Sequence, residues 1–305
     1  MRRSKIPKRA LAQSCCECNV AENLRLGQTR SVSDSTGPSS ALSVLLGRLA
    51  PAFAACLICV ATLTGAPQQH DNVKPKVPPI PSKELSVPFS AGETLKYQVS
   101  WSAFSDAASL QLSVPERRDL FGSQTWHFRG EAHTLSPVRT LFAIDDQFDS
   151  YSDAGTLDSR QFETHLNEMG KQSNQVQRIV ASGNPSHLPP PVVVVPPDTR
   201  DALGILYALR CVDWRQTSEF HAPVFDGKDI FDVRASREAT DDAVKVAAGS
   251  YAAARIAIHV FQYQREVSNV RYVMWVASDA SRTPVAMEAD LPFGTIRAEL
   301  TSATH

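Results

Sequence analysis

From Phe89 onward the chain alternates apolar and polar residues: Leu95, Tyr97, Val99 and Trp101 are interleaved with Lys96, Gln98 and Ser100. A helix would scatter those four side chains around its surface, whereas a strand projects them all to one face. The pattern returns at Leu110, Leu112 and Val114 after the loop 102–108, which predicts a hairpin. Strand-like segments follow over 126–132, 142–151, 158–166 and 175–181, and again over 218–224, 230–236, 243–246, 251–263, 270–277, 285–290 and 295–301. Asp226-Gly227 supplies a second hairpin turn. Short strands bounded by turn residues predict an antiparallel meander, and no internal repeat of solenoid or propeller length is present.

Two segments break the pattern. The quartet Val192–Val195 is fenced by Pro189, Pro190 and Pro191 before it and Pro196 and Pro197 after it. Proline lacks a ladder donor, so this quartet cannot be a central strand. Next, Asp198-Thr199 can cap a helix, and Asp201 lies where its first turn would be, favourable to the dipole. Ala202, Ile205, Leu206 and Leu209 then share one helical face, Leu203 and Tyr207 widen it, and Arg210 stands at the C-terminal end. The fold class expected is mainly β. A curved antiparallel sheet, or a half-barrel or barrel-like meander, packs around one central helix at about 199–210, as one domain over 89–302.

Composition matters chiefly for what precedes that domain. The 31 Lys+Arg against 32 Asp+Glu exclude the basic excess of a dedicated nucleic-acid binder. The balance averages two unlike pieces, because residues 1–66 hold eight basic residues, three acidic ones and five of the six cysteines. Within them Leu49–Ala66 is uncharged, follows Arg48 and ends in small residues, the parts of a secretory signal. A retained membrane anchor is the competing reading, although Pro51 interrupts the run and spanning takes about 20 apolar residues. Residues 41–66 are therefore a signal peptide or membrane anchor, and 1–40 a poorly ordered extension. A misassigned start, with initiation near Val44 or Leu46, would account for that extension. Residues 67–88 carry six prolines and three lysines and read as an extended, proline-rich linker.

Phe53-Ala54-Ala55-Cys56 resembles a lipobox, but the apolar stretch continues past the cysteine. The pairs Cys15-x-x-Cys18 and Cys56-x-x-Cys59 have the look of a zinc ribbon. The 37 residues between them and the apolar setting of the second pair fit a targeting segment better. The expected location is exported, periplasmic or cell-envelope associated. Cleavage near residue 66 would leave Cys211 as the single thiol, with no intramolecular disulfide to form.

No catalytic constellation is legible. The chain has no HExxH, GxSxG, SxxK, Walker loop or GxGxxG, so neither a metal nor a cofactor is implied. His127, Arg129, Glu131 and His133 project from one face of a predicted strand. Such a quartet can bind metal or move protons, yet its alternation with Phe128, Gly130 and Ala132 is also that of a solvated sheet face. Asp145, Asp146, Asp149, Asp153 and Asp158 lack the EF-hand register and read as turn residues flanking a strand. Cys211 follows a buried helix and reads as core, and Ser278-Asp279 with Arg282 as a tight turn.

Five strings carry a resemblance: Phe89-x-x-Gly92-Glu93-x-Leu95-x-Tyr97, Asp201-x-x-x-Ile205-Leu206-Tyr207-x-Leu209-Arg210, Val246-Ala247-Ala248-Gly249-Ser250-Tyr251, Trp275-x-x-Ser278-Asp279-x-x-Arg282-x-Pro284-Val285 and Gly294-x-x-x-x-Glu299-Leu300. In this order the chain resembles the DUF3108 family of bacterial exported proteins over roughly residues 87–302. The resemblance implies an envelope protein of unassigned activity, a half-barrel similar to those of periplasmic lipoprotein carriers, and no catalytic residues to carry over. The function expected is a non-catalytic periplasmic binding module for a lipid or hydrophobic small molecule. Tyr97, Trp101, Phe104, Tyr207 and Trp275 are the candidate ligand-binding aromatics. The alternative is a structural or assembly factor of the envelope acting through protein contacts, with membrane contact only through 41–66 if that segment is uncleaved.

Overall fold

Leu95 and Tyr97 are buried while Lys96 and Gln98 face solvent, as the alternation predicts. The computed structural model describes residues 85–183 and 188–304. The extension 1–40, the signal or anchor 41–66, both cysteine pairs and the linker up to residue 84 lie outside the described residues. Among the described residues no helix is long and apolar enough to cross a membrane.

Strands β1 (Thr94–Trp101), β2 (Phe104–Leu120) and β3 (Ser123–Thr134) lead to a short helix α1 (Val138–Leu141). Strands β4 (Asp145–Asp153), β5 (Ser159–Glu168), β6 (Lys171–Ala181), β7 (Val192–Val195) and β8 (Arg200–Asp201) come before helix α2 (Gly204–Cys211). The chain ends with β9 (Glu219–Phe225), β10 (Ile230–Val246), β11 (Gly249–Gln262), β12 (Arg265–Glu266), β13 (Arg271–Ala277), β14 (Pro284–Leu291) and β15 (Gly294–Thr304).

All fifteen strands join one sheet in the order β7-β6-β5-β4-β3-β2-β1-β15-β14-β13-β11-β10-β9-β8, with β12 beside β11. It is two meanders sewn together where the first strand pairs antiparallel with the last, Tyr97 opposite Leu300 and Trp101 opposite Ile296. The sheet curls, since side chains of β2–β5 and of β11, β13 and β14 line one common cavity. It stays open. The ends β7 and β8 share no ladder, and isolated hydrogen bonds link the two sides, Ser159 N–H to Thr199 O (3.0 Å) and Gln177 Nε2 to Gly227 O (2.7 Å). Val192–Val195 is an edge strand, parallel to β6, as its proline fence requires.

The expected central helix over 199–210 is not borne out. Arg200–Asp201 pairs instead as a strand with Val224–Phe225, and Thr199 Oγ1 donates to Pro196 O (2.7 Å). The helix begins only at Gly204 and is eight residues long. Asp201 still caps it from outside, its Oδ1 accepting the N–H groups of Leu203 (3.0 Å) and Gly204 (2.7 Å). Tyr207 stacks on Phe128 with ring centroids 3.8 Å apart, and Phe89 meets Trp126, Phe128 and Tyr207 edge-on. The helix lies against that stretch of the first meander.

Other boundaries move too. The loop 102–108 shrinks to a turn at Ser102-Ala103, with β2 already under way at Phe104. The two segments 230–236 and 243–246 fuse into β10 across an irregularity between Arg237 and Asp241. The acidic residues Asp145, Asp146, Asp149 and Asp153 are not turn residues but members of β4, where each carboxylate finds a partner: Arg139, Asn167 N–H, His127 and Arg160 respectively.

Candidate functional site

Among the described residues, a pair of apolar cavities lies on the concave face of the sheet and shares Leu110, Ala132 and Phe148 as a common wall. The larger holds about 270 Å³ and the smaller about 150 Å³. Trp101 from β1, Val138 from α1, Phe142 and Ile144 before β4, and Met169 after β5 enclose the larger one. Small residues face it from β2 and β3, and the room comes from Ala107, Ala108 and Ala132 where larger side chains would close it. Met169, which borders it, is 62% exposed.

One buried acid lines this cavity. Asp146 is 4% exposed, and among the described residues its carboxylate has one hydrogen bond, from Asn167 N–H at 2.9 Å. Burial pushes its carboxyl up to about 6 against that donor, and the neighbouring Glu168 and Asp145 add to the rise. Glu168 and His133 border the same cavity.

The predicted aromatics fall into three places. Trp101 lines the cavity, and Phe104 leans on it across the hairpin with centroids 6.2 Å apart. Tyr97 and Tyr207 lie deeper, buried in the core, their hydroxyls donating to Pro284 O (2.8 Å) and Ser113 O (3.0 Å). Burial raises both phenols. Trp275 belongs to another environment, donating Nε1–H to Asp242 (2.7 Å) beneath the guanidinium groups of Arg297 and Arg255. The structure thus brings Trp101 and Phe104 together and separates the other three from the cavity.

The strings behind the resemblance meet at a different spot. Arg210 pairs with Glu93 and also donates to the carbonyls of Ser281 (3.3 Å) and Arg282 (3.2 Å), while Ala248 N–H donates to Leu300 O (3.1 Å). They stitch β1, α2 and the β13–β14 turn into a scaffold. Asp279 closes that turn by accepting Ser281 N–H (3.0 Å), as its spacing predicts. Cys211 is half-buried, and burial pushes its thiol up to about 12, far from a nucleophile's range.

The quartet on β3 divides. His133 is exposed beside Asp145, but His127 is only 5% exposed, so this end is no solvated face. His127 Nε2 lies 2.6 Å from Asp149 Oδ1, Arg129 Nε donates to the same oxygen (2.8 Å), and Gln147 Nε2 donates to Oδ2 (2.6 Å). Burial opposes ionisation of Asp149, but these three contacts outweigh it and hold the carboxyl at about 2. Beside it stand Glu163 and His165 of β5, which the sequence reading passed over. The available signal was a second polar alternation, Gln161, Glu163 and His165, facing that of Gln147 and Asp149.

No curated protein matches the chain. Among solved structures it is similar to a beta-barrel-like protein of the domain of unknown function DUF1849 from Brucella abortus, with 10% identity, TM-score 0.42, and coverage of 73% of this chain and 99% of that one. It is also similar to a candidate lipoprotein from Parabacteroides distasonis (9% identity, TM-score 0.35, 73% and 100% coverage) and a candidate exported protein with a YmcC-like fold from Bacteroides fragilis (7%, 0.30, 73% and 100%). No role or location follows from likenesses this distant. The family described as "Protein of unknown function (DUF3108)" matches residues 96–301, and the chain belongs to it.

Proposed function

We propose that this chain is a non-catalytic binding module of the cell envelope that takes a lipid or other hydrophobic ligand into the cavity beside Trp101. The observation that carries the reading is the cavity of about 270 Å³, walled mostly by carbon and bordered by the exposed Met169. At that volume it approaches the size of sites that hold small ligands, on the order of 300 Å³ or more. The envelope location is supported by the uncharged run Leu49–Ala66 behind Arg48. A second reading, partner binding along a sheet edge, has β7 as its surface. That strand is four residues long and flanked by prolines, features that blunt an edge rather than recruit to it.

The test is tryptophan quenching with a brominated long-chain fatty acid. Saturable quenching is expected, most of it lost in Trp101→Phe, and uptake itself blocked in Ala132→Leu, which fills the shared wall. Protein that shows no saturable quenching and carries no lipid after mild extraction would overturn the reading.

A further inference from the structure

We propose that Asp149, Glu163 and His165 form a binding site for a divalent first-row transition metal of the Zn²⁺ type, on the face of β4 and β5 opposite Phe148. The site is independent of the apolar cavity and of any role assigned to it. Register creates it: Asp149 lies directly opposite Glu163, and Gln147 directly opposite His165, so the three side chains rise from adjoining positions on one face. One ligand atom from each falls within 4.8 Å of the others.

The geometry is that of ligands, not of a hydrogen-bonded pair. His165 Nε2 stands 3.5 Å from Glu163 Oε2 and 4.0 Å from Asp149 Oδ2, both longer than a hydrogen bond. With metal–ligand bonds of about 2.1 Å, the edges of a tetrahedron are about 3.4 Å, within a small side-chain adjustment of these separations. The ring's other nitrogen, Nδ1, is 3.1 Å from Asn174 Oδ1. An amide oxygen only accepts, so Nδ1–H donates to it, which leaves Nε2 as the ring nitrogen that can offer its lone pair to a metal between the two carboxylates. Three ligand atoms then converge with His165 Nε2 beyond hydrogen-bond reach of either carboxylate, while the Gln147 amide donates to Asp149 Oδ2, an arrangement that a cation satisfies.

The remaining capacity of each ligand is already committed, which aims the free electron pairs at one point. Glu163 Oε1 accepts Gln161 Nε2–H at 2.5 Å, leaving Oε2. Asp149 Oδ1 is taken by His127 and Arg129, leaving a lone pair on Oδ2 beside the Gln147 amide. One imidazole and two carboxylates suit Zn²⁺ and its first-row neighbours and leave a coordination position for water. Ca²⁺, which takes six to eight oxygens, is poorly served. Arg129 offsets one of the two negative charges, so micromolar rather than tighter affinity is expected.

The test uses the full chain stripped with chelator, titrated with Zn²⁺ by calorimetry and with Co²⁺ by its visible absorption. One class of sites should disappear or weaken by about 10- to 100-fold in both His165→Asn and Glu163→Gln, with His133→Asn unchanged and Ca²⁺ failing to compete. Glu163 and His165 are only partly buried, and unchanged circular dichroism verifies that each variant folds. Zn²⁺ stoichiometry and affinity that are the same in wild type and both variants, or no Zn²⁺ binding at all, would overturn the proposal.

Discussion

Glu93 receives both terminal nitrogens of Arg210, at 2.5 and 2.9 Å, in an ion pair that neither side chain shares with solvent. Burial works against the guanidinium charge and the carboxylate beside it restores it. Tyr207 and Phe89 lie under the guanidinium at 5.5 and 5.4 Å from its carbon. Such a pair is costly to half-remove, because the survivor is left charged in a low-dielectric core. Glu93→Gln should therefore destabilise the domain by about 3–5 kcal/mol, a fall in melting temperature of roughly 10 °C for a domain of this size. The double variant Glu93→Leu with Arg210→Met should recover most of that loss. Recovery no better than the single variants would show that the pair's hydrogen bonds to the carbonyls of Ser281 and Arg282 matter more than its charges.

Asp201 organises the entry to α2. Its carboxylate accepts Ser150 Oγ–H (2.6 Å), Ser159 Oγ–H (2.5 Å) and the two backbone N–H groups that open the helix. Removing the acceptor strands four buried donors at once. Asp201→Ala should cost about 2–4 kcal/mol in chemical denaturation, with Asp201→Asn intermediate, since an amide keeps one accepting oxygen. A loss under about 1 kcal/mol would mean that water replaces the carboxylate.

That residue also shows where sequence reasoning stops. The strands were legible because each carries its own period: Leu95 and Tyr97 declare their face without reference to any partner. Asp226-Gly227 likewise announced its hairpin, and the Asp226 carboxylate accepts the N–H groups of Lys228 and Asp229 that tighten the turn. The start of α2 was misread because Asp201 has the chemistry of a cap but is drawn into pairing with Phe225, a contact distant in sequence. Trp101 and Trp275 look alike along the chain, yet the strand geometry places one on the cavity and the other beneath Arg297. The gathering of Asp149, Glu163 and His165 depends wholly on the register of β4 against β5, which no linear spacing records.

Gly294 is held at φ +125, and a Cβ there would lie 1.9 Å from Ser102 Oγ and 3.3 Å from Trp101 Nε1. Ser102 N–H donates to Thr295 O (2.9 Å), so the tips of the β1–β2 and β14–β15 hairpins are locked together. Trp101 Nε1–H donates to Phe293 O (3.3 Å), so Gly294→Ala should cost about 1–3 kcal/mol and shift the Trp101 emission as the indole loses that contact. Adding Ser102→Gly removes the clashing hydroxyl at a residue whose own φ is +51, and should return part of the stability. Strict additivity of the two substitutions would show that backbone conformation, not the contact, is the cause.

Asp146 should give the domain a pH dependence opposite in sign to that of Asp149. The carboxyl of Asp146 titrates at about 6 in the fold against 3.8 as the ordinary value, because burial disfavours its charge and Glu168 and Asp145 add repulsion. Below 3.8 it is neutral in both states and its contribution is fully present; as pH rises through about 6 the fold must hold a buried carboxylate and that stability is lost. Water reaches the cavity mouth, so the loss is on the order of 1–2 kcal/mol rather than the whole two-unit equivalent. Asp149, held at about 2, loses its contribution only as pH falls through that value, so the two effects occupy separate windows. Asp146→Asn should therefore melt higher than wild type near pH ~7 and converge with it toward pH ~4. Parallel melting curves across that window would place the Asp146 carboxyl at its ordinary value and the cavity floor in contact with bulk water.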